Sequence, residues 1–300
     1  MTLPVNPPAA WPVSALARSQ ITPMIICKNE EANIARVLEP LTWAQRIVLI
    51  DSGSTDATLA IAQHFAQVDV LHRDFDSFAQ QCNFGLSQIS TPWVLSLDAD
   101  HVLTPKFLRC LESFCPDDEV WGYRVPLRYC IHGGPLRGTL MPPRISLFRR
   151  SQARYLDSGH GHHLVEAGRV VPFPGEIFHD DRKSLDRWLQ SQRRYQENDA
   201  KMLLSTPVAS LNRMDRLRRT TLWMPILALP YCLIFKLGVL DGWRGWFYAF
   251  QRVYAELQLA LMLLEADHMV ESDSAAAATA PPRGTRKHVR EGAFSRRARR

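Results

Sequence analysis

The chain has 300 residues, 46% of them hydrophobic and 22% charged, with a net charge of +6. This composition excludes a collagen-like or wholly disordered chain and predicts a globular protein of one large domain or two smaller ones. Six scattered cysteines, with no Cys-x-x-Cys pair and no zinc-finger spacing, argue against a disulfide framework and for reduced thiols in a cytosolic setting.

Taken in order, residues 1–20 carry Pro4, Pro7, Pro8 and Pro12 without a basic-then-apolar signal pattern, which predicts an unstructured lead-in. Ile21 to Cys27 reads as a buried strand. The polar run Lys28-Asn29-Glu30-Glu31-Ala32-Asn33 after it reads as a strand-to-helix loop, with Asn29 able to cap a helix through Ile34, Val37 and Leu38. Arg46 to Ile50 is a second strand. It ends in Asp51-Ser52-Gly53-Ser54-Thr55-Asp56, where Gly53 permits a tight turn and Asp56 can cap the next helix. Val68 to Leu71 is a third strand, and Phe78, Cys82, Leu86 and Ile89 mark another helix. Trp93 to Leu97 is a fourth strand, ending in Asp98-Ala99-Asp100. Strands alternating with helices predict crossover connections and a mostly parallel sheet.

In such sheets ligands sit beyond the carboxyl ends of the strands, where Asn29, Glu30, Asp51, Asp98 and Asp100 fall. Asp98 and Asp100 share one side of an extended backbone, and two close carboxylates repel unless a cation lies near them. Oxygen ligands suit Mg²⁺ or Mn²⁺, bound together with substrate phosphates. Asp51 and Glu30 are acceptors suited to a ribose or a base edge. There is no Gly-x-Gly-x-x-Gly after the first strand and no Gly-x-x-x-x-Gly-Lys-Ser/Thr, which argues against a dinucleotide oxidoreductase and a P-loop enzyme.

Three motifs in this order, Ile25 to Ile34 (IICKNEEANI), Val48 to Thr58 (VLIDSGSTDAT) and Leu97 to Asp100 (LDAD), resemble the family 2 inverting glycosyltransferases with the GT-A fold. Phe75 to Asn83 and Ser146 to Arg150 resemble the branch that acts in lipopolysaccharide-core and envelope-glycan assembly. The resemblance implies a nucleotide-sugar donor, with a uridine diphosphate sugar favoured, a divalent metal, and single displacement with inversion. It implies nucleoside contacts from Glu30 and Asp51, and diphosphate–metal contacts from Asp98 and Asp100. The candidate donor-binding set is Asn29, Glu30, Asp51, Ser54, Asn83, Asp98 and Arg144, and Asp98 and Asp100 are the candidate metal ligands. His101 stands where the branch often has an acidic residue, and Cys82 where a basic one is common.

On the acceptor side, Thr104-Pro105 opens a helix, Val120 to Tyr129 alternates like strands, and the glycine-rich Ile131 to Gly138 reads as a flap. Asp157 to Glu166 gathers three histidines and two carboxylates. In the resembling branch a His-rich segment here is followed by Gly-x-x-x-His, matched by Gly175 to His179. An inverting transfer needs a base for the acceptor hydroxyl; Glu166 is the candidate, with Asp157 and His163 as alternatives.

Lys183 to Leu204 predicts a long amphipathic helix. Arg213, Arg216, Arg218 and Arg219 then precede the apolar run Leu222 to Leu240. Pro225, Pro230 and Lys236 favour a re-entrant or in-plane membrane element over a span or a buried hairpin, with the arginines on anionic headgroups. Asp241-Gly242 is a turn, and Trp243 to Glu265 a second helix. The domain organisation expected is therefore a lead-in (1–20), a catalytic domain (21–205), a membrane-associated helical region (206–270) and a basic disordered tail (271–300). The whole reads as a glycosyltransferase acting on an envelope glycan or glycolipid at the cytoplasmic face of the inner membrane, peripheral or re-entrant, with no nucleic-acid partner. A sugar nucleotidyltransferase and a non-catalytic membrane scaffold are the competing readings.

Overall fold

A computed structural model of the chain describes residues 13–158, 161–220 and 223–279. The proline-rich start, Gly159 and His160 of the His-rich segment, Leu222, and the basic run from Arg283 to Arg300 lie outside the described residues.

The first half is built as its apolar pattern predicts. Helix α1 (Ala15–Gln20) leads into β1 (Ile21–Cys27), α2 (Ile34–Leu38), β2 (Ile47–Asp51), α3 (Thr58–Ala62), β3 (Val68–His72), α4 (Phe78–Ser87) and β4 (Trp93–Asp98). Residues 13–20 are therefore not part of a loose lead-in: Ser14 caps α1, and Val13 and Ala17 are buried in the core. β5 (His101–Leu103), α5 (Pro105–Glu112), β6 (Val120–Val125), β7 (Leu127–Ile131), β8 (Gly134–Pro135) and β9 (Arg144–Arg149) follow. Thr104 accepts the backbone N–H of Phe107, the cap expected for α5. Then come β10 (Tyr155–Ser158), β11 (Gly161–Leu164), β12 (Arg169–Pro172), β13 (Ile177–His179) and four helices, α6 (Leu185–Ser205), α7 (Arg213–Thr220), α8 (Met224–Pro230) and α9 (Trp243–Thr279).

The main sheet has the order β12-β6-β9-β4-β1-β2-β3, and only β9 runs against its neighbours. Both faces are covered, so consecutive strand residues go to opposite cores. Ile47 and Leu49 pack with Ile25, Trp93, Leu95 and the helices α1, α2 and α5, whereas Val48 and Ile50 pack with Met24, Val94 and Ala79, Cys82 and Leu86 of α4. Helix α4 lies so close to the sheet that a Cβ on Gly85 would meet Met24 Sδ at 2.6 Å. A second, four-stranded sheet has the order β5-β13-β7-β8. It sits where β4 ends and carries the flap, whose turn takes positive φ at His132 and Gly133, as a tight hairpin demands.

After α6 the chain departs from expectation. The apolar run is not one helix. Pro225 and Pro230 bound α8, a π turn follows at Tyr231–Phe235, and Leu237 adopts a left-handed conformation before a 3-10 turn at Gly238–Asp241. Among the described residues no helix is long and apolar enough to cross a membrane. Helix α9 runs on to Thr279, so residues 271–279 are helical and not tail. Three of the four arginines before α8 are engaged within the protein, while Arg213 is exposed. Arg218 pairs with Glu256 and Asp215, Arg219 with Asp267, and Arg216 donates to the carbonyls of Val208, Ala209 and Leu211.

Candidate active site

The carboxyl ends of β1, β2 and β4 meet in register, with Cys27 opposite Asp51 and Ile26 opposite Asp98. The loops after β1 and β2 are fastened together by side chain–backbone hydrogen bonds. Asn29 N donates to Ser54 Oγ (2.8 Å), Thr55 N to Asn29 Oδ1 (2.7 Å), Glu30 N to Thr58 Oγ1 (2.6 Å), Glu31 N to Asp56 Oδ2 (3.2 Å) and Ala57 N to Glu31 Oε2 (3.0 Å). Asn29 is therefore not a helix cap; held at positive φ, it ties the two loops. Asp56 accepts the backbone N–H of Thr58 at the start of α3.

Asp51 is 2% exposed and accepts from Gly53 N, Ser54 N and Ser54 Oγ. Burial pushes its carboxyl up, but the Ser54 and Gly53 hydrogen bonds outweigh that and hold it below the usual carboxylate range. Glu30 sits opposite Lys183, whose Nζ donates to Oε1, while Asn33 Nδ2 donates to Oε2. Burial raises the Glu30 carboxyl despite Lys183. Both acids thus hold their own surroundings in place. Lys183 is a partner that the sequence reading did not single out.

The second sheet brings the remaining groups in. β13 pairs with β5 on one side and β7 on the other, so His101, His179 and Tyr129 form one cross-strand row. His179 Nδ1 lies 3.4 Å from Asp100 Oδ1, and His101 Nε2 lies 3.5 Å from Asp98 Oδ2 and 4.0 Å from Asp100 Oδ1. Arg144 Nη1 donates to Asp98 Oδ2 at 3.0 Å. Asp100 Oδ1, His101 Nε2 and His179 Nδ1 are buried without a hydrogen-bond partner of proper geometry.

The two histidines are shifted in opposite directions. Burial lowers His179, but Asp100 beside it more than compensates and raises it. Burial lowers His101 more than Asp98 and Asp100 raise it. Burial likewise opposes ionisation of Asp100, and His179 overrides it, holding the carboxyl well below its ordinary value. His101 Nδ1 accepts the backbone N–H of Asp98, so the neutral ring carries its proton on Nε2, aimed at the carboxylates. Asp100 Oδ1 and His179 Nδ1 converge with His101 Nε2 near them and without a hydrogen bond of proper geometry. That is a donor set that fits a divalent cation, with Asp98 beside it. His101 and His179 lay within stretches the sequence reading quoted, but neither was taken as part of the metal site; the signal was their place after Asp100 and at the end of Gly175 to His179.

Other candidates fall elsewhere. Asn83 spends both amide atoms on the backbone of Tyr155, so it pairs α4 with β10 and is not available to a donor. Asp157 accepts from Ser77 Oγ and Ala79 N at the start of α4, so it serves that helix rather than a base role. His163 is exposed on β11. Glu166 pairs with Arg124 at 2.6 Å, half-exposed on the flank of β6. Among the described residues no hydrogen bond or ion pair joins it to Asp98 or Asp100.

The chain matches the model of glycosyl transferase family 2 over residues 24–169. The lipopolysaccharide core biosynthesis glycosyltransferase LpsC of Rhizobium meliloti is 32% identical over 184 residues, covering 58% of this chain and 68% of that protein. An uncharacterized glycosyltransferase of Rickettsia typhi is 24% identical over 271 residues, covering 85% of this chain and 91% of that one. The crystal structure of Staphylococcus aureus TarS residues 1–349 in complex with UDP superposes with a TM-score of 0.45 and 12% identity, over 83% of this chain and 91% of that one, a likeness too distant to carry residue roles. The α/β architecture, the motif order and the LpsC match agree: the chain belongs to glycosyl transferase family 2.

Proposed function

We propose that this glycosyltransferase moves a sugar, with inversion, from a nucleotide-sugar donor to a hydroxyl of an envelope glycolipid or glycan of the lipopolysaccharide-core type, at the cytoplasmic face of the inner membrane. The observation that carries the reading is the Asp100–His179 pair, its facing atoms buried and without a hydrogen bond, beside the Asp98–Arg144 pair at the carboxyl ends of the parallel strands. A uridine diphosphate sugar is the favoured donor. The match to LpsC supports the class of acceptor.

Asp100 and His179, with Asp98, would hold Mg²⁺ or Mn²⁺, which would offset the charge gathering on the leaving diphosphate. Arg144, half-exposed and bidentate by nature, can turn from Asp98 to a phosphate oxygen. His101 Nε2 faces both carboxylates, 3.5 Å from Asp98 Oδ2 and 4.0 Å from Asp100 Oδ1. The fastened loops after β1 and β2 give the nucleoside a preformed floor, with Glu30, Asp51, Asn29 and Ser54 fixing its shape. Glu166 is the proposed base. Its carboxylate is open to an incoming acceptor, and the Arg124 pair is one it would exchange for the hydroxyl proton.

The division of labour proposed is residues 21–205 for catalysis and 206–270 for membrane association. The test is donor binding in detergent across a panel of nucleotide sugars, with and without Mn²⁺ or Mg²⁺. Metal-dependent binding of one donor by the wild type, lost in Asp100→Ala, supports the reading. Absence of binding to every donor by folded protein overturns it.

A further inference from the structure

The segment between α7 and the middle of α9 breaks the ordinary rule of burial. Phe235 is 76% exposed, Trp223 64% and Ile234 63%, and Ile226, Leu240 and Trp243 are more than half exposed. Monomeric soluble proteins rarely leave so many large apolar side chains together in water. These residues are held out rather than loosely placed. A Cβ on Gly245 would meet the Gly238 carbonyl oxygen at 1.8 Å, which locks the 3-10 turn onto the start of α9. On the other side Arg244 Nε donates to the Ile131 carbonyl, and a Cβ on Gly138 would meet the Lys236 carbonyl oxygen at 2.4 Å. Tyr248 Oη accepts from Leu140 N. The apolar face is thus fixed to the back of the flap.

The charges around this face are of one sign. From Met224 to Leu240 the only charged residue is Lys236, whose Nζ lies 5.6 Å from the Tyr231 ring centroid. The Arg244 guanidinium lies 5.0 Å from the Trp243 ring. The one nearby carboxylate, Asp241, is turned inward onto Arg137 with 7% of its side chain exposed. Tryptophan and tyrosine at the edge of an apolar face, with cations beside them and no exposed acid, complement an anionic bilayer interface. They complement a second copy less well, since that would bring two cationic rims together.

We propose that the face formed by α8, the π turn and the start of α9 inserts into the interfacial region of an anionic lipid bilayer, and that this docking lays the flap against the membrane surface. Arg216, Arg218 and Arg219 of α7, engaged within the protein, take no part. Two side chains separate this anchor from the site: the Tyr129 ring is 5.1 Å from Tyr248 and 4.9 Å from His179. A glycolipid acceptor resting in the same bilayer therefore approaches the flap side of the Asp98–Asp100 cluster. Only this last step rests on the transferase reading; the docking surface stands on its own.

The test is flotation of the full-length chain with phosphatidylcholine vesicles and with vesicles containing phosphatidylglycerol. The comparison variants are the double substitution Ile234→Ser with Phe235→Ser, and Lys236→Glu. The wild type is expected to float, more strongly with the anionic lipid. The double variant should partition about tenfold less or weaker, since two largely exposed apolar side chains are removed, and Lys236→Glu should lose the anionic preference. Wild type that stays unbound, or a double variant that floats as well as wild type, overturns the proposal. So does a dimer, seen by light scattering, that the double substitution converts to monomer without any lipid binding in the wild type. Donor binding measured in parallel shows that the variants are folded. Its absence in wild type as well would count against the transferase reading while leaving the flotation result intact.

Discussion

Two regions of this molecule invert the usual distribution of side chains, in opposite senses. At the carboxyl ends of β4 and β13, ionisable groups are turned inward: Asp100, His101 and His179 keep polar atoms out of water with no hydrogen-bond partner. Between α7 and α9, apolar groups are exposed, with Ile234 and Phe235 mostly in solvent. Each arrangement costs free energy in the isolated chain, and each has a proposed partner from outside. Buried unpartnered charges suit a small charged ligand; an exposed apolar face suits a large apolar one. Tyr129 lies between them, its ring against His179 on one side and Tyr248 on the other.

The largest effect is expected at the buried cluster. Asp100→Ala removes the counter-charge that holds His179 raised and one of the two converging ligand atoms. Transfer should fall about a thousandfold or more, roughly 4 kcal/mol in the barrier, and calorimetric Mn²⁺ titration should lose its donor-linked signal. Near-normal transfer by this variant would place the chemistry elsewhere. Glu166→Gln sharpens the same side. If it is the base, transfer drops about a hundredfold or more while donor binding is unchanged; intact transfer removes it from the mechanism.

Between the two regions, Tyr129→Leu keeps apolar bulk but deletes the ring contacts to His179 and Tyr248. Each is an aromatic pair of about 0.5–1.5 kcal/mol, so chemical denaturation should show a loss of a comparable size. A larger change in transfer than in stability would mark Tyr129 as a link from anchor to site.

The pH dependence of stability tests the floor beside the cluster. The Asp51 carboxyl is depressed in the folded chain by Ser54 and Gly53, although burial opposes this. Its contribution is therefore full above the ordinary carboxylate value and is lost as pH falls through the lower folded value. Acid unfolding should be steeper for wild type than for Asp51→Asn, and equal slopes would refute the assignment. The smallest effect is expected on the exposed side. Ile234→Ser and Phe235→Ser should each change stability in lipid-free buffer by no more than about 0.5 kcal/mol, because little packing is removed. A large loss would mean that these side chains are part of the core.

How much could be read without the structure depended on the range of the interaction. The strands Ile21–Cys27 and Trp93–Asp98 and the cap at Thr104 were legible because an apolar run, a terminal acid or a helix-start signal is local. The contacts of Asn83 and Asp157 were not legible because the groups they bond, Tyr155 and the start of α4, lie more than seventy residues away along the chain. Arg218 and Arg219 were assigned to lipid because their partners Glu256 and Asp267 stand on a helix that folds back beside them.

The sequence by itself determined the α/β class, the order of the loops and the convergence of Asp51, Asp98 and Asp100 at one sheet edge. Side-chain alternation and terminal polar residues are consequences of neighbouring residues alone. Tertiary structure decided which groups complete that edge. Strand β13 chooses β5 and β7 as neighbours through backbone hydrogen bonds that any residues can make, and that register sets His179 against Asp100 and Tyr129 against His179. It decided equally that the apolar run after Trp223 is folded into short pieces with one face left in solvent. Proline and glycine dictate where the backbone must break, but only packing against the flap and α9 settles which side chains remain outside.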